Sequence, residues 1–258
     1  MNYYLILAAI LFSYMTVWFG ISLFKKRNDV ADIAWGLGFV VLSWSGWLLS
    51  GNMTQRGFVV AVLVSIWGLR LALHIFLRNR KKTEDSRYAA WREQWGKWFV
   101  LRSYFQVYLL QGFLLFLIVL PVLFLQKNSS GPWQAWDIVA GLVWVMGFLF
   151  ESVGDSQLRS FVKDPKNKGK ILQTGLWKYT RHPNYFGEVM IWWGIWIFAV
   201  SSSPWWIVIG PLTISFLILR VSGIPMLEKK MDLNPEFVLY KQRTNKFFPW
   251  FPKKISTK

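Results

Sequence analysis

Long apolar runs are the feature that most constrains how this chain of 258 residues can fold. Seven of them approach or exceed the roughly 20 residues that a helix needs to cross a bilayer. The pattern predicts an all-α integral membrane protein, a bundle of about seven transmembrane helices. The fifth and sixth runs are the shortest, so the pattern defines their ends least well. The runs are 3–24, 30–50, 57–77, 104–125, 136–150, 185–200 and 204–221.

The positive charges are distributed unevenly between the two sides of these runs. The net charge is +17, yet only Arg56 and Lys127 lie in the loops after the second and fourth runs, and 201–204 has no basic residue. This is the positive-inside pattern, and it places the N-terminus outside and the C-terminus in the cytoplasm. We therefore expect a plasma (inner) membrane protein that contacts anionic membrane lipids, and no nucleic-acid partner.

The polar segments all lie on the predicted cytoplasmic side, and the whole chain, 1–258, reads as a single membrane domain. In 78–102, aromatic residues recur at spacings of three and four between basic residues. A second aromatic and basic segment occupies 227–258. Both predict amphipathic helices at the cytoplasmic interface.

Metal and thiol chemistry are not expected. The chain has no cysteine, which excludes disulfides and thiolate ligands. Its two histidines, His74 and His182, are not accompanied by a cluster of carboxylates, so we expect no metal site.

The segment 175–188 packs polar side chains against the start of an apolar run. Arg181 and His182 would lie at the N-terminus of the sixth helix, where anions are attracted. Asn184 and Glu188 are four apart and share a helix face. Ionisable groups at a membrane boundary are costly without a polar partner, which favours a charged cofactor.

A second polar group ends the fifth run. Asp155 and Arg159 are four apart on one face. Carboxylates can bind ribose hydroxyls and basic side chains can hold phosphates. Arg220, at the end of the seventh run, is either a third cofactor contact or an anchor at the membrane surface.

A third group lies near the N-terminal runs. Asp32 sits one turn inside the second run, and Arg70 and His74 are four apart in the third. Asp32 either pairs with Arg70 or binds substrate, because an arginine in the bundle needs a carboxylate partner. His74 either donates a proton to a substrate oxygen or hydrogen-bonds between helices.

The motif 175–188 resembles the signature shared by the steroid 5-alpha-reductase superfamily, including sterol reductases, and the isoprenylcysteine carboxyl methyltransferases. Further segments resemble the bacterial steroid 5-alpha-reductase-like proteins of the DUF1295 type, and the likeness covers nearly the whole chain. These segments are 32–36, 84–88, 154–157 and 223–228.

The resemblance implies that NADPH binds the C-terminal half, about 135–258, from the cytoplasmic side. A hydride would pass to the β carbon of an enone, with Asp32, Arg70 and His74 on the substrate side. The steroid enzymes have a tyrosine in that region, where this chain offers His74 or Trp67, so a steroid substrate is not implied. The implied cofactor contacts are Asp155, Arg159, Arg181, His182, Asn184, Tyr185, Glu188 and Arg220.

Three functions are compatible with these residues. The first is an NADPH-dependent reductase of a carbonyl-conjugated double bond in a lipophilic substrate, such as a lipid, isoprenoid or sterol-like molecule. The second is an S-adenosylmethionine-dependent methyltransferase of a lipidic acceptor, because the methyltransferases share the motif 175–188, called here the entrance motif. The third is a membrane scaffold or transporter. The clustering of polar groups on one side, without a matching polar path to the other, disfavours transport.

Overall fold

The computed structural model describes residues 2–80, 82–130 and 132–253, and within them every regular element is helical. A short 3₁₀ turn and the π-helical segment Ser103–Leu109 link α4 to α6, and a second π-helical segment, Leu217–Val221, follows α9. The α-helices are α1 Tyr3–Lys25, α2 Val30–Leu49, α3 Gln55–Asn79, α4 Ser86–Trp95, α5 Phe99–Arg102, α6 Leu110–Asn128, α7 Ala135–Lys163, α8 Pro183–Ala199, α9 Ile209–Phe216, α10 Ile224–Met231 and α11 Pro235–Arg243.

Six helical stretches among the described residues are long and apolar enough to cross a membrane, which makes this an integral membrane protein. The expected run 185–200 corresponds to α8, which has 17 residues. At 1.5 Å per residue it spans about 26 Å, slightly less than a hydrocarbon core of about 30 Å. A seventh crossing therefore stays a prediction. The six stretches are Tyr3–Lys25, Val30–Leu49, Gln55–Asn79, Ser86–Asn128, Ala135–Lys163 and Trp205–Met231.

The chain divides into two compact units. Unit 1 comprises Met1–Trp133 and Ala199–Gly210, and unit 2 comprises Gln134–Phe198 and Pro211–Lys258. The half expected to hold the cofactor, about 135–258, corresponds to unit 2 except for 199–210. That the whole chain acts as one domain stays a prediction.

In unit 1 the closest helix packing occurs between α2 and α3. A Cβ atom added at Gly36 would lie 2.7 Å from the carbonyl oxygen of Gly68, which a real side chain cannot tolerate. Small residues let membrane helices approach in this way. Phe39 and Trp67 are fully buried beside this crossing, with ring centroids 5.3 Å apart. The crossing fixes the beginning of α2, where Asp32 lies.

In unit 2 a similar contact joins α7 and α8. A Cβ atom at Gly147 would lie 2.7 Å from the carbonyl oxygen of Gly187 and from the amide nitrogen of Ile191. Two turns further along α7, Gly154 lies against the start of α8, where its added Cβ would be 3.2 Å from the Asn184 nitrogen. This packing sets the beginning of α8 beside Asp155.

Candidate functional site

Unit 1 carries a cluster of Asp32, Arg87 and Tyr88, called here the acid cluster. Tyr88 donates its O–H to Asp32 Oδ1 at 2.7 Å, and Arg87 Nη2 donates to Asp32 Oδ2 at 3.0 Å. Tyr88 is 3% exposed. The carboxylate of Asp32 is thus held by a phenol and a guanidinium, both from α4, which are 55 and 56 residues away in the sequence.

The start of α4 positions these two side chains. Asp85 is the N-cap and accepts the backbone N–H of Arg87 at 3.0 Å, as capping aspartates commonly do. Arg87 Nε also donates to Asp85 Oδ1 at 3.0 Å. Burial raises the pKa of the Asp85 carboxyl, but the hydrogen bonds and charge of Arg87 outweigh it and hold this pKa below its usual value. Arg87 therefore lies between two carboxylates.

A second set of ion pairs fixes the loop before α4 against the loop before α2. Arg27 donates to both oxygens of Asp29, at 2.9 and 2.6 Å, and Asp29 is 2% exposed. Glu84 accepts from Arg92 at 2.9 Å and from the backbone N–H of Asn28 at 2.6 Å. The carboxylates of Asp29 and Glu84 therefore form structural ion pairs and hydrogen bonds, and these hold the acid cluster in place.

Arg70 and His74, the other predicted substrate-side residues, lie on α3 in the same unit, and both are half-buried. Asp32, for which Arg70 was the expected partner, is bonded by Arg87 and Tyr88. The roles of Arg70 and His74 stay predictions.

Unit 1 also has an apolar groove between α1 and the beginning of α6. Its volume is about 190 Å³. A groove of this composition suits a hydrocarbon group. Its walls include Leu11, Phe12, Met15, Gly112, Phe113 and Phe116.

Unit 2 carries the predicted entrance motif, and part of it forms a buried ion pair. Arg181 Nε donates to Glu228 Oε1 at 2.8 Å, and both side chains are about nine-tenths buried. Arg181 Nη1 also donates to the carbonyl oxygens of Thr244 at 2.6 Å and Lys241 at 3.3 Å. The guanidinium therefore ties the start of α8 to α10 and to the end of α11.

His182 shares the same carboxylate. Its ring is 1% exposed, and Nε2 lies 2.9 Å from Glu228 Oε1. Burial lowers the pKa of the imidazole, although the hydrogen bond and charge of Glu228 act in the opposite direction. The contact with the carboxylate assigns the ring proton to Nε2. Nδ1 is then a buried acceptor without a hydrogen-bond partner among the described residues.

Asn184 supplies a second buried acceptor. Its Nδ2 donates to Oδ1 of Asp155, on α7, at 3.1 Å, and Asp155 is 8% exposed. The Asn184 Oδ1 atom has no hydrogen-bond partner within the described ranges. The sequence had placed Asp155 and Asn184 in one site, and the structure joins them directly.

The remaining predicted cofactor residues lie in the same unit. The ring of Tyr185 stacks on that of His182, with centroids 5.6 Å apart. Glu188 is half-buried one turn further along α8. Arg159, on α7, and Arg220, in the π-helical segment after α9, are exposed. Their distances from a bound cofactor stay predictions.

These donors and acceptors fit a nucleoside-containing cofactor. The unpaired acceptors on His182 and Asn184 can accept hydrogen bonds from O–H or N–H groups, which ribose and carboxamide carry. Exposed cations on the same unit suit phosphates. S-adenosylmethionine also has ribose hydroxyls and amines, so these residues are compatible with either NADPH or S-adenosylmethionine. The described residues include no group of three or more His, Asp or Glu side chains arranged for a metal ion.

Sequence reasoning did not find Tyr88 as a site residue, nor the full role of Glu228. Tyr88 belongs to the segment 84–88, which carried part of the family resemblance, and that was the available signal. Glu228 ends the segment 223–228, and its sequence position alone is compatible with either a cofactor contact or a surface charge. In the structure it is the buried partner of Arg181 and His182.

Comparison with known proteins gives a family but no activity. A family model described as "Protein of unknown function (DUF1295)" matches residues 18–244. An uncharacterized protein of Schizosaccharomyces pombe is 23% identical over 274 residues, an alignment that covers 90% of this chain and 76% of the yeast protein. No solved structure matches.

Proposed function

The chain belongs to the DUF1295 family, and we propose that it is an NADPH-dependent membrane reductase acting on a carbonyl-conjugated C=C bond of a lipophilic substrate. The acid cluster is the observation that carries the proposal. Reduction of an enone needs a proton donor at the carbonyl oxygen as well as a hydride, and a buried phenol bonded to a carboxylate is suited to that task. The resemblance to bacterial steroid 5-alpha-reductase-like proteins also supports it.

When bound, NADPH supplies the hydride, which adds to the β carbon as the π electrons move onto the carbonyl oxygen. That oxygen takes a proton from Tyr88, and the resulting enol returns to the ketone. Asp32, kept as a carboxylate by Arg87, positions the Tyr88 hydroxyl, and a proton from water replaces the one that Tyr88 gives up. In this proposal Arg70 offsets the negative charge of Asp32, and His74 is the alternative proton donor to the carbonyl oxygen of the substrate.

The proposal assigns the cofactor to unit 2. Asp155, Asn184 and His182 accept hydrogen bonds from ribose hydroxyls or the carboxamide, and Arg159 and Arg220 contact phosphates. Arg181 acts through Glu228, because this carboxylate fixes the tautomer of His182. Tyr185 and Glu188 complete the set, as the family resemblance implies.

The location also belongs to the proposal. We place the protein in a bacterial inner membrane, with α8 as a seventh crossing, the N-terminus outside and the C-terminus in the cytoplasm. The charge distribution supports this orientation. The groove between α1 and α6 suits the hydrocarbon part of a lipid, isoprenoid or sterol-like substrate.

Cofactor binding by the purified protein in detergent is the first test. We expect NADPH to be retained and S-adenosylmethionine not to be. Asn184→Ala should weaken NADPH binding about tenfold, the equivalent of one hydrogen bond of about 1.4 kcal/mol. Glu188→Ala should also weaken it. Gln242→Ala, an exposed amide on α11, is the control and should bind normally.

The outcomes separate the candidate functions. Retention of S-adenosylmethionine alone would assign the protein to the methyltransferases. Binding of neither compound would remove the enzymatic interpretation and favour a scaffold. Unchanged affinity in Asn184→Ala and Glu188→Ala would remove the entrance motif from the site.

Turnover tests the acid cluster. Asp32→Asn and Tyr88→Phe should slow NADPH oxidation with an alkyl-substituted cyclohexenone by roughly 10²- to 10⁴-fold, the usual contribution of general acid catalysis. NADPH affinity should stay the same. Tyr104→Phe is the matched control, because the Tyr104 hydroxyl pairs with Thr16 at 3.1 Å instead. Full turnover in both cluster variants would assign Asp32 to a structural pair.

A further inference from the structure

The segment 245–253, called here the aromatic strap, follows α11 in unit 2 and exposes three large aromatic side chains. Phe248, Trp250 and Phe251 are 72%, 69% and 73% exposed. The strap has no regular secondary structure, and its two prolines restrict the backbone. Three such side chains within four residues form an apolar patch, and patches of this kind mark interaction sites.

Hydrogen bonds fix the backbone of the aromatic strap against the residues just before α8. The N–H of Trp250 donates to the carbonyl oxygen of Tyr179 at 2.9 Å. The N–H of Arg181 donates to the carbonyl oxygen of Asn245, also at 2.9 Å. The hydroxyl of the buried threonine between them donates to the carbonyl oxygen of Phe247 at 2.8 Å. The exposed rings are therefore held outward by a bonded backbone.

The same contacts place the aromatic strap at a membrane boundary. Arg181 bonds Glu228, which lies in the last turn of the membrane-crossing stretch Trp205–Met231. Trp177 Nε1 donates to the carbonyl oxygen of Gly154 at 3.1 Å, in the polar part of α7 that follows its apolar run. Aromatic side chains are enriched at this depth, where apolar rings meet the lipid headgroups. Lipid is therefore the environment available to the exposed rings.

The charges around the rings identify the kind of lipid. Lys178, Lys246 and Lys253 are exposed, and the sequence 240–253 contains no acidic residue. Basic residues beside a membrane attract anionic headgroups. A second copy of this chain, docked symmetrically on this patch, would bring the same positive charges against it. An anionic phospholipid supplies both the negative charge and the apolar part that the patch needs.

We infer that the aromatic strap is a binding site for anionic phospholipids. The rings of Phe248, Trp250 and Phe251 lie among the headgroups and the first acyl carbons, and the three exposed lysines contact the phosphates. The site selects anionic over zwitterionic phospholipids, because the rings suit both kinds and only the lysines distinguish them. None of these six side chains belongs to the proposed cofactor site.

The chain has no cysteine, so a single fluorophore can be attached at one introduced cysteine. Trp250→Cys carrying a dansyl group is placed in phosphatidylcholine nanodiscs that contain a small fraction of nitroxide-labelled phosphatidylglycerol or, separately, nitroxide-labelled phosphatidylcholine. A basic residue near an anionic surface gives roughly a fivefold preference. The labelled phosphatidylglycerol should therefore quench the probe at least about fivefold more strongly. Replacing Lys178, Lys246 and Lys253 by glutamine should remove the difference but keep the quenching by phosphatidylcholine.

The control probe is attached at Lys168→Cys, an exposed position in the polar turn after α7. Neutral acrylamide in the water should quench this probe, and the labelled lipids should not. Equal quenching of the Trp250→Cys probe by the two lipids, or a preference that survives the three glutamine substitutions, overturns the inference. Quenching by acrylamide as at Lys168→Cys would place the strap in water, and shielding from both acrylamide and lipid would indicate a protein partner; either result also overturns it. NADPH is absent throughout, so the outcome is independent of the proposed function.

Discussion

Replacement of Arg181 by alanine should unfold the entrance motif of unit 2. The side chain bonds Glu228 and two main-chain carbonyls, and the arginine and glutamate side chains are only 8% and 10% exposed. Removing one partner of a buried ion pair leaves an uncompensated charge and costs about 3–5 kcal/mol. We expect Arg181→Ala to lose that amount of unfolding free energy. Arg181→Lys should lose less unfolding free energy, because lysine keeps the positive charge, although it lacks the planar guanidinium group that forms several hydrogen bonds at once.

The assay is equilibrium unfolding in mixed micelles, followed by tryptophan fluorescence and helical circular dichroism. Arg243→Ala is the matched control, since Arg243 is exposed at the end of α11 and should change stability by less than about 0.5 kcal/mol. A double-mutant cycle with Glu228→Gln should show strong coupling. An Arg181→Ala protein as stable as the Arg243→Ala control, or additive effects in the cycle, would refute the reasoning.

Three further predictions concern stability. Burial holds the pKa of His182 below 6.5, so the unfolded state binds more protons than the folded state in this range. The free energy of unfolding should therefore fall as the pH drops from about 7 to 5. In a pH series, His182→Gln should flatten this dependence. Gly36→Ala should lower the free energy of unfolding in micelles by about 1–3 kcal/mol, because its Cβ would lie 2.7 Å from an opposing carbonyl oxygen. Gly20→Ala should leave this free energy unchanged, because nothing lies within 4 Å of its Cβ. Gly175→Ala should lower the melting temperature more than Gly169→Ala, since both have positive φ but only the Gly175 Cβ meets a side chain; equal shifts would contradict this.

The apolar runs predicted most helices closely. The run 30–50 corresponds to α2, Val30–Leu49, because a helix that crosses the membrane must keep nearly every lipid-facing residue apolar. The run 136–150 underestimated α7, which extends to Lys163. Backbone hydrogen bonding does not stop where apolarity stops, and the first proline after the run is Pro165. The sequence also does not show where one span becomes π-helical, because that depends on packing.

The candidate site was only partly readable from the chain. The family resemblance had put Asp155 and Asn184 in one site, but the hydrogen bond between them was not predicted and is seen only in the structure. The expected partner of Asp32 was Arg70, because an arginine in the bundle needs a carboxylate, and the sequence did not indicate Arg87 and Tyr88, which bond Asp32 in the structure. Spacing rules apply within a helix and say nothing about a residue on another helix.

Sequence alone determined that the chain is helical and membrane-embedded, because hydrocarbon tolerates only stretches whose residues are apolar and whose backbone bonds are internal. The tertiary structure decided which charges meet. Glu228 lies 46 residues from His182 and 47 from Arg181, yet it bonds both. Such a meeting depends on how the residues just before α8 pack against α10, and no local pattern encodes it.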